Sequence, residues 1–251
     1  MIRLEQIVQY LDSRLEASEF PDYDRAVNGL QVSGPGEVRK VAAAVDAGEP
    51  SLRDAREAGC DLLLVHHGLF WGGSRPITGP LFRKVSELVQ GGVALYSSHL
   101  PLDAHPEVGN CALLTRALGL EPSGAFGEFQ GRTVGWWAEC SLDREALRAR
   151  VAEAVDGPVR VIAGGPDRIR RVGVVTGGGG AFIGEAARRG LDALVTGEGA
   201  HHTYLEALEQ GVDVYYAGHY ATETFGVRAL ARELEEEFGL PWIFIDHPSG
   251  L

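Results

Sequence analysis

Four consecutive apolar residues, Leu62-Leu63-Leu64-Val65, read as a strand buried on both faces of a sheet, and the run stops at His66-His67-Gly68. Upstream, from Arg39, an apolar strand leads through a glycine-containing loop into a helix that ends at Gly59, just before the run at Leu62. The same order returns from Arg170: strand, glycine loop, a helix ending at Gly190, then a strand carrying Asp192-Ala193-Leu194. Strand, helix and parallel strand make a βαβ unit. The pattern therefore predicts two such units, related by duplication.

Residue identities support the duplication. Arg39 to Gly68 aligns without gaps on Arg170 to Gly199, and Arg39, Val41, Gly48, Ala55, Gly59, Asp61, Leu63 and Gly68 each meet an identical residue. Those eight identities in thirty positions stand against the ~2 that composition alone supplies. Downstream, Gln90-Gly91, Tyr96 and His99 align on Gln210-Gly211, Tyr216 and His219, with Asp103 opposite Glu223. Thr133 to Glu139 reads as a strand containing Trp136-Trp137, Ser141 to Val155 as a helix with Leu147 and Val151 turned inward, and Val159 to Ala163 as a further strand. Tyr220 to Phe238 reads as a helix with Ala229, Leu230 and Leu234 on one face. Glu121-Pro122-Ser123-Gly124, followed by Gly127 and Gly131, marks a join. The predicted fold class is α/β, with two similar α/β domains from an internal duplication and mixed sheets flanked by helices. The expected domains are residues 1–124 and 125–251, the second interleaved with the first.

Composition agrees with two cores: 251 residues at 45% hydrophobic content can bury one large core or two smaller ones. No stretch nears the ~20 uninterrupted apolar residues of a membrane span, and Met1 to Ala17 reads as an amphipathic helix, so a soluble, cytoplasmic protein without a membrane partner is expected. Cys60, Cys111 and Cys140 stand singly, as reduced thiols do. A net charge of −12 argues against binding nucleic acid. Glu235-Glu236-Glu237 and the arginines of Arg144 to Arg150 read as solvated helix faces, and Trp136-Trp137, with no interleaved basic residues, as core or subunit-contact positions.

Candidate chemistry gathers at strand ends. Imidazoles at the carboxyl edge of a sheet lie where open α/β folds keep their ligands. Neighbouring strand residues point to opposite faces, so His66 and His67 can serve one centre only if the strand has ended, as Gly68 and Gly72-Gly73 would allow. Each half also offers His-x-x-x-carboxylate: His99 with Asp103, in a loop containing Pro101, and His219 with Glu223, side by side at i, i+4 on a helix. The second copy has Gly197-Glu198 in place of His66-His67, which points to one composite metal site between the two domains. Neutral imidazoles and carboxylates suit first-row divalent ions, and the thiolates of a closed structural zinc site are missing. His66, His67, Asp103, His219 and Glu223 make five candidate ligands, more than the three typical of one catalytic zinc. Two divalent ions per chain (Zn, Fe, Mn or Co), sharing a carboxylate and a bridging water, are therefore predicted. His99 is left over as a proton shuttle, a substrate contact or a hydrogen-bond partner of a ligand.

Three features compete for notice. Gly177 to Gly180 follows a strand like a phosphate-cradling loop but lacks the lysine and hydroxyl of a P-loop, so it reads as a tight turn. His201-His202 reads as a helix cap or pocket lining, and His105 and His247 as loop histidines.

The strings Asn28-Gly29-Leu30, Asp61 to Gly68, Tyr96 to Asp103 with Gly109-Asn110, Thr196-Gly197-Glu198 and Gly218-His219-Tyr220-Ala221-Thr222-Glu223 resemble the Nif-three-like dinuclear-metal hexameric proteins, many labelled GTP cyclohydrolase type-two homologues. The resemblance covers nearly the whole chain. It implies two similar α/β domains, a metal pair held at His66, His67, Asp103, His219 and Glu223, and a ring-shaped homohexamer. Family members often carry threonine after the histidine matching His99, where this chain has Leu100-Pro101, and the long domain that some members insert between their halves is missing.

Two function classes follow. In the first, the chain is a metal-dependent hydrolase acting on a small molecule, either by GTP cyclohydrolase-like ring opening or by nucleotide or phosphoester hydrolysis. His99 would then carry the proton and Glu198 would hold substrate. In the second, it is a non-catalytic protein that stores or delivers metal, or a scaffold stabilised by it.

Overall fold

The structure, a computed structural model, describes residues 1–251 except Arg25, Gly72 and Ser74. It divides into two compact units, one made of residues 1–102 and 226–247, the other of residues 103–225 and 248–251. The chain therefore passes between the units at 102/103, 225/226 and 247/248, where the sequence pattern pointed to 124/125. The glycine- and proline-rich stretch that reads as a join holds a strand, Gly124–Phe129, paired antiparallel with Arg132–Asp143. The segment before it brings Leu114, Leu118 and Leu120 into the second unit's core. Turn-forming residues marked a hairpin here, and burial decided the boundary.

In the first unit, Val41–Asp46, Leu62–His67 and Ala94–Ser97 lie side by side as parallel strands, with Trp242–Phe244 parallel at one edge and Gly29–Val32 antiparallel at the other. The crossovers are the helices Glu49–Glu57 and Gly79–Gly91. Leu62, Leu63, Leu64 and Val65 are all buried, as a strand covered on both faces requires. Helix Leu4–Leu15 buries Leu4, Ile7, Leu11 and Leu15, the three-and-four spacing of one helical stripe. Fully burying each such side chain contributes about 1.5–3 kcal/mol.

The second unit repeats the pattern. Arg168–Val174, Ala193–Thr196 and Asp213–Tyr216 are parallel neighbours, joined through the helices Ile183–Arg188 and Thr203–Gln210. Arg160–Ile162 closes one edge antiparallel, and the hairpin of Gly124–Phe129 and Arg132–Asp143 extends the other. Val41 pairs with Leu62 as Val172 pairs with Ala193, the same register in both copies. Side-chain bonds repeat as well. Asp61 accepts from the backbone N–H groups of Arg39 (2.8 Å) and Lys40 (3.3 Å), and Asp192 from those of Arg170 (2.7 Å) and Arg171 (3.1 Å).

One detail of the alignment is corrected. Tyr96 pairs with Leu64, and the equivalent of Leu64, Val195, pairs with Tyr215. Tyr96 therefore corresponds to Tyr215, both fully buried, while Tyr216 points to the opposite face. The second copy gains one residue between this strand and His219.

Asp61 gives a pH-dependent prediction. Burial alone would raise its carboxyl, but the Arg39 guanidinium and the two backbone N–H groups outweigh burial and hold it below the usual carboxylate range. The native state then gives up this proton more readily than the unfolded chain. Its stabilisation is complete above the unfolded pKa of about 3.9 and is lost as pH falls through the lower native value. Asp61→Asn is expected to cost roughly 1–3 kcal/mol near pH 7 in urea unfolding. The gap from the parent should shrink toward pH 3. A gap independent of pH would show that the charge plays no part.

Candidate metal centre

In the first unit, His66 and His67 are the last two residues of their strand, and Asp46 still pairs with His67 in the ladder. The strand has not ended before the histidines, as the sequence pattern required. The two imidazoles nevertheless stand with ring centroids 4.7 Å apart, and His99 lies 5.0 Å from His66 and 5.6 Å from His67. Long side chains at a strand terminus lean along the strand direction, past the last ladder bond, so opposite pleat positions converge. Gly72, one of the glycines expected to end that strand, lies outside the described residues.

All three rings are held the same way. His66 Nδ1 lies 2.9 Å from the Ser98 carbonyl oxygen, His67 Nδ1 2.8 Å from Asp46 Oδ1, and His99 Nδ1 2.8 Å from Asp22 Oδ1. Carbonyl and carboxylate oxygens only accept, so each Nδ1 carries a proton and donates it, and Nε2 is the nitrogen on the far side of each ring. An imidazole that donates its other N–H to an oxygen is the usual state of a metal ligand. The nitrogens these three residues offer lie within 4.8 Å of one another, a group that could hold a metal ion. Asp22 also accepts from the Asn28 side chain (2.9 Å) and the Tyr23 backbone (2.7 Å). Burial pushes its carboxyl up, but these bonds and the one from His99 prevail and keep it low, hence ionised. Asn28 also accepts from the His99 backbone N–H at 2.8 Å.

In the second unit, Asp103 is buried, and its Oδ1 accepts from Asn110 Nδ2 (2.9 Å) and Thr176 Oγ1 (2.8 Å). It sits on the short helix Leu100–Ala104 rather than in a loop, because Pro101 falls in the first turn, where its missing N–H costs nothing. Glu223 is buried, and His219 Nε2 lies 3.2 Å from its Oε1. The helix expected from Tyr220 to Phe238 is broken at Glu223 into His219–Thr222 and Thr224–Phe238, yet the i, i+4 pair still meets. Glu198 takes His219 Nδ1 at 2.8 Å. The Glu223 bond, opposed by burial and aided by Glu198, pushes the His219 imidazole up to about 9. Without an ion His219 is thus an imidazolium flanked by two carboxylates, and metal bound at its Nε2 would displace a proton.

Each predicted site residue therefore occupies a strand or helix terminus within its own unit. Glu198 orients an imidazole here, as Asp46 and Asp22 do in the first unit. The sequence pattern missed Asp22, Asp46 and Thr176, and it gave no role at the site to Asn110, quoted only within the family resemblance, or to Gly177, read as part of a tight turn. Asp46 was within reach, since a carboxylate closing an apolar strand sits at the same sheet edge as His67. Asp22 was not, because 77 positions separate it from His99. Gly177 has φ +60, and a Cβ there would lie 2.1 Å from Glu223 Oε1 and 3.1 Å from His219 Nε2. The glycine loop is thus a close backbone approach to this acid and imidazole. His201 and His202 are exposed and His202 makes no side-chain cap, His105 accepts from two backbone N–H groups of its own turn, and His247 lies 2.8 Å from Asp54. Cys60 and Cys111 are buried, with burial pushing both thiols up, away from the thiolate form. No helix among the described residues is long and apolar enough to cross a membrane.

The chain is 45% identical to a GTP cyclohydrolase 1 type 2 homolog of Deinococcus radiodurans, over 98% of this chain and 94% of that one. Among solved structures, TTHA1606 from Thermus thermophilus is 43% identical with a TM-score of 0.90, and protein ybgI, described as of unknown function, is 37% identical with a TM-score of 0.93. Both alignments cover 100% of each chain. A model of the Duf34/NIF3 (NGG1p interacting factor 3) family matches residues 2–249. With that match spanning nearly every residue, and with His66, His67 and His99 grouped so that they could hold a metal ion, the chain belongs to the Duf34/NIF3 family.

Proposed function

We propose that the chain is a metal-dependent hydrolase, with His66, His67, Asp103, His219 and Glu223 holding two divalent ions. The observation that carries this reading is the shared arrangement of His66, His67 and His99, each with Nδ1 donating to an oxygen that fixes the ring, an orientation suited to a metal ligand at His66 and His67 and to a proton carrier at His99.

Ions bound there would supply a water acidified toward pKa ~7 and polarise a phosphate or a ring carbon. The protein's part is to orient the ligands and to move protons. His99, its ring held by ionised Asp22, is the residue proposed to carry the proton. Asp46 and Glu198 fix the rings of His67 and His219. The relatives' name, GTP cyclohydrolase 1 type 2 homolog, brings GTP into the substrate panel, beside nucleotides and simple phosphoesters.

The test is turnover of that panel by protein loaded with Zn, Fe, Mn or Co, repeated with His99→Ala. Loss of a general base is expected to lower kcat by about 10²- to 10⁴-fold. Elemental analysis should find the ion content of the variant unchanged. Two ions per chain with no turnover of any substrate would sink the hydrolase reading in favour of metal storage, delivery or a scaffold. A homohexamer is proposed on the family resemblance, and light scattering on the eluted protein would check it.

A further inference from the structure

We propose that a cleft beside His67 binds the phosphate of a phosphorylated small molecule, with Arg75 and Lys84 as its cations. This names a substrate class for the hydrolase proposed above and rests on that reading. The cleft lies wholly in the first unit and encloses about 480 Å³, a size that takes metabolite-scale ligands. Its lining includes His67 with its partner Asp46, as well as Trp71, Arg75, Thr78 and Lys84.

Charge makes this cleft unlike its surroundings. The chain has 35 acidic and 23 basic residues, so carboxylates are in excess. In this unit Arg14 pairs with Glu233, Arg39 with Asp61, Arg56 with Glu57 and Glu87, and Arg83 with Glu49. Neither Arg75 nor Lys84 forms a carboxylate ion pair among the described residues, although the Lys84 charge reaches Glu49, which Arg83 already pairs; Arg75 donates to the Leu69 carbonyl at 2.9 Å. Asp46 is the one acid among the described lining residues, and its Oδ1 is engaged by His67. The lining thus carries a net positive charge next to a proposed metal ligand, on a protein whose net charge is −12.

A fork-shaped guanidinium and a mobile ammonium together suit a phosphate dianion, one by bidentate geometry and the other as a point charge. Two helices begin at the cleft, Glu49–Glu57 behind Gly48 and Gly79–Gly91 behind Thr78, neither with a side-chain cap. Their first N–H groups add a field of the same sign to that of the two cations. The apolar wall of Leu69, Trp71 and Leu81 would face the organic part of the ligand.

Calorimetric titration of the metal-loaded protein with inorganic phosphate tests this, using the parent, Arg75→Ala, Lys84→Ala, the double variant and Lys84→Arg, with ion content measured in parallel. One phosphate per chain should bind the parent. Each alanine should weaken binding about tenfold, the 1.4 kcal/mol of one charge-assisted contact. Lys84→Arg should restore most of the affinity, and ion content should not change. No binding to the parent, or equal binding to the double variant because the ions alone hold the phosphate, would overturn the proposal. The two readings fail differently. Phosphate binding with the expected dependence but no phosphoester turnover would sink the hydrolase and leave the anion site standing. Turnover with a KM indifferent to both residues would do the reverse.

Discussion

Glu223→Gln is expected to lower metal affinity by about 100-fold or more, since losing even a group that supports a ligand costs 10- to 100-fold and here a ligand itself goes. The substitution keeps the shape of a buried side chain and removes only its charge. Two readouts separate a ligand from a structural acid. Elemental analysis of protein equilibrated with limiting metal should show occupancy falling. In the metal-free protein, the His219 imidazole, pushed up to about 9 chiefly by Glu223, should titrate closer to its ordinary 6.5. Asp103→Asn is expected to lower occupancy in the same way, since Asp103 is the proposed acid ligand of the first sequence repeat, as Glu223 is of the second. Its Oδ1 bonds to Asn110 and Thr176 can survive in the amide, so folding should be largely preserved. Full occupancy in Glu223→Gln with a shifted His219 titration would leave Glu223 as no more than the partner of an imidazolium.

Much of this site was legible because duplication leaves its record in both sequence and backbone. The strand at Leu62, the helix stops at Gly59 and Gly190, and the aspartates that tie neighbouring strands together follow from periodicity and from identical residues at matched positions. The histidines and acids proposed as ligands were legible as a set for the same reason, standing just after apolar runs. What could not be read was the partner of each ligand. Asp22 reaches His99 through the folding of a segment without periodicity, and Thr176 reaches Asp103 across 73 positions. The copies also diverged in role: Glu198 stands at the repeat position of His67, but it orients an imidazole where His67 offers one. A pairwise alignment gives the correspondence of positions, and only the hydrogen bonds reveal the exchange of roles. The slip between Tyr96 and Tyr216 has a similar origin, because two adjacent tyrosines on one strand match the sequence equally well while only Tyr215 matches the face.

Gly177→Ala is expected to be the most damaging change at a position that offers no ligand. Two costs add at one atom. The residue sits at φ +60, where an L side chain costs about 1–2 kcal/mol. The new methyl would also lie 2.1 Å from Glu223 Oε1, and a buried carboxylate cannot swing into solvent to relieve the overlap, so a further 1–3 kcal/mol of overpacking is estimated. Together these predict a loss of roughly 2–5 kcal/mol in urea unfolding, with metal content falling alongside as Glu223 and His219 are displaced. Gly190→Ala in the same unit supplies the control. Its φ is +68, but among the described residues, its chain neighbours aside, a Cβ there would meet nothing nearer than the far end of Arg171 at 4.0 Å. That variant should show the backbone cost alone, with metal content intact. The difference between the two isolates the contact with the acid, and a Gly177→Ala protein no less stable than Gly190→Ala, with full metal, would mean that the glycine loop does not set the position of Glu223.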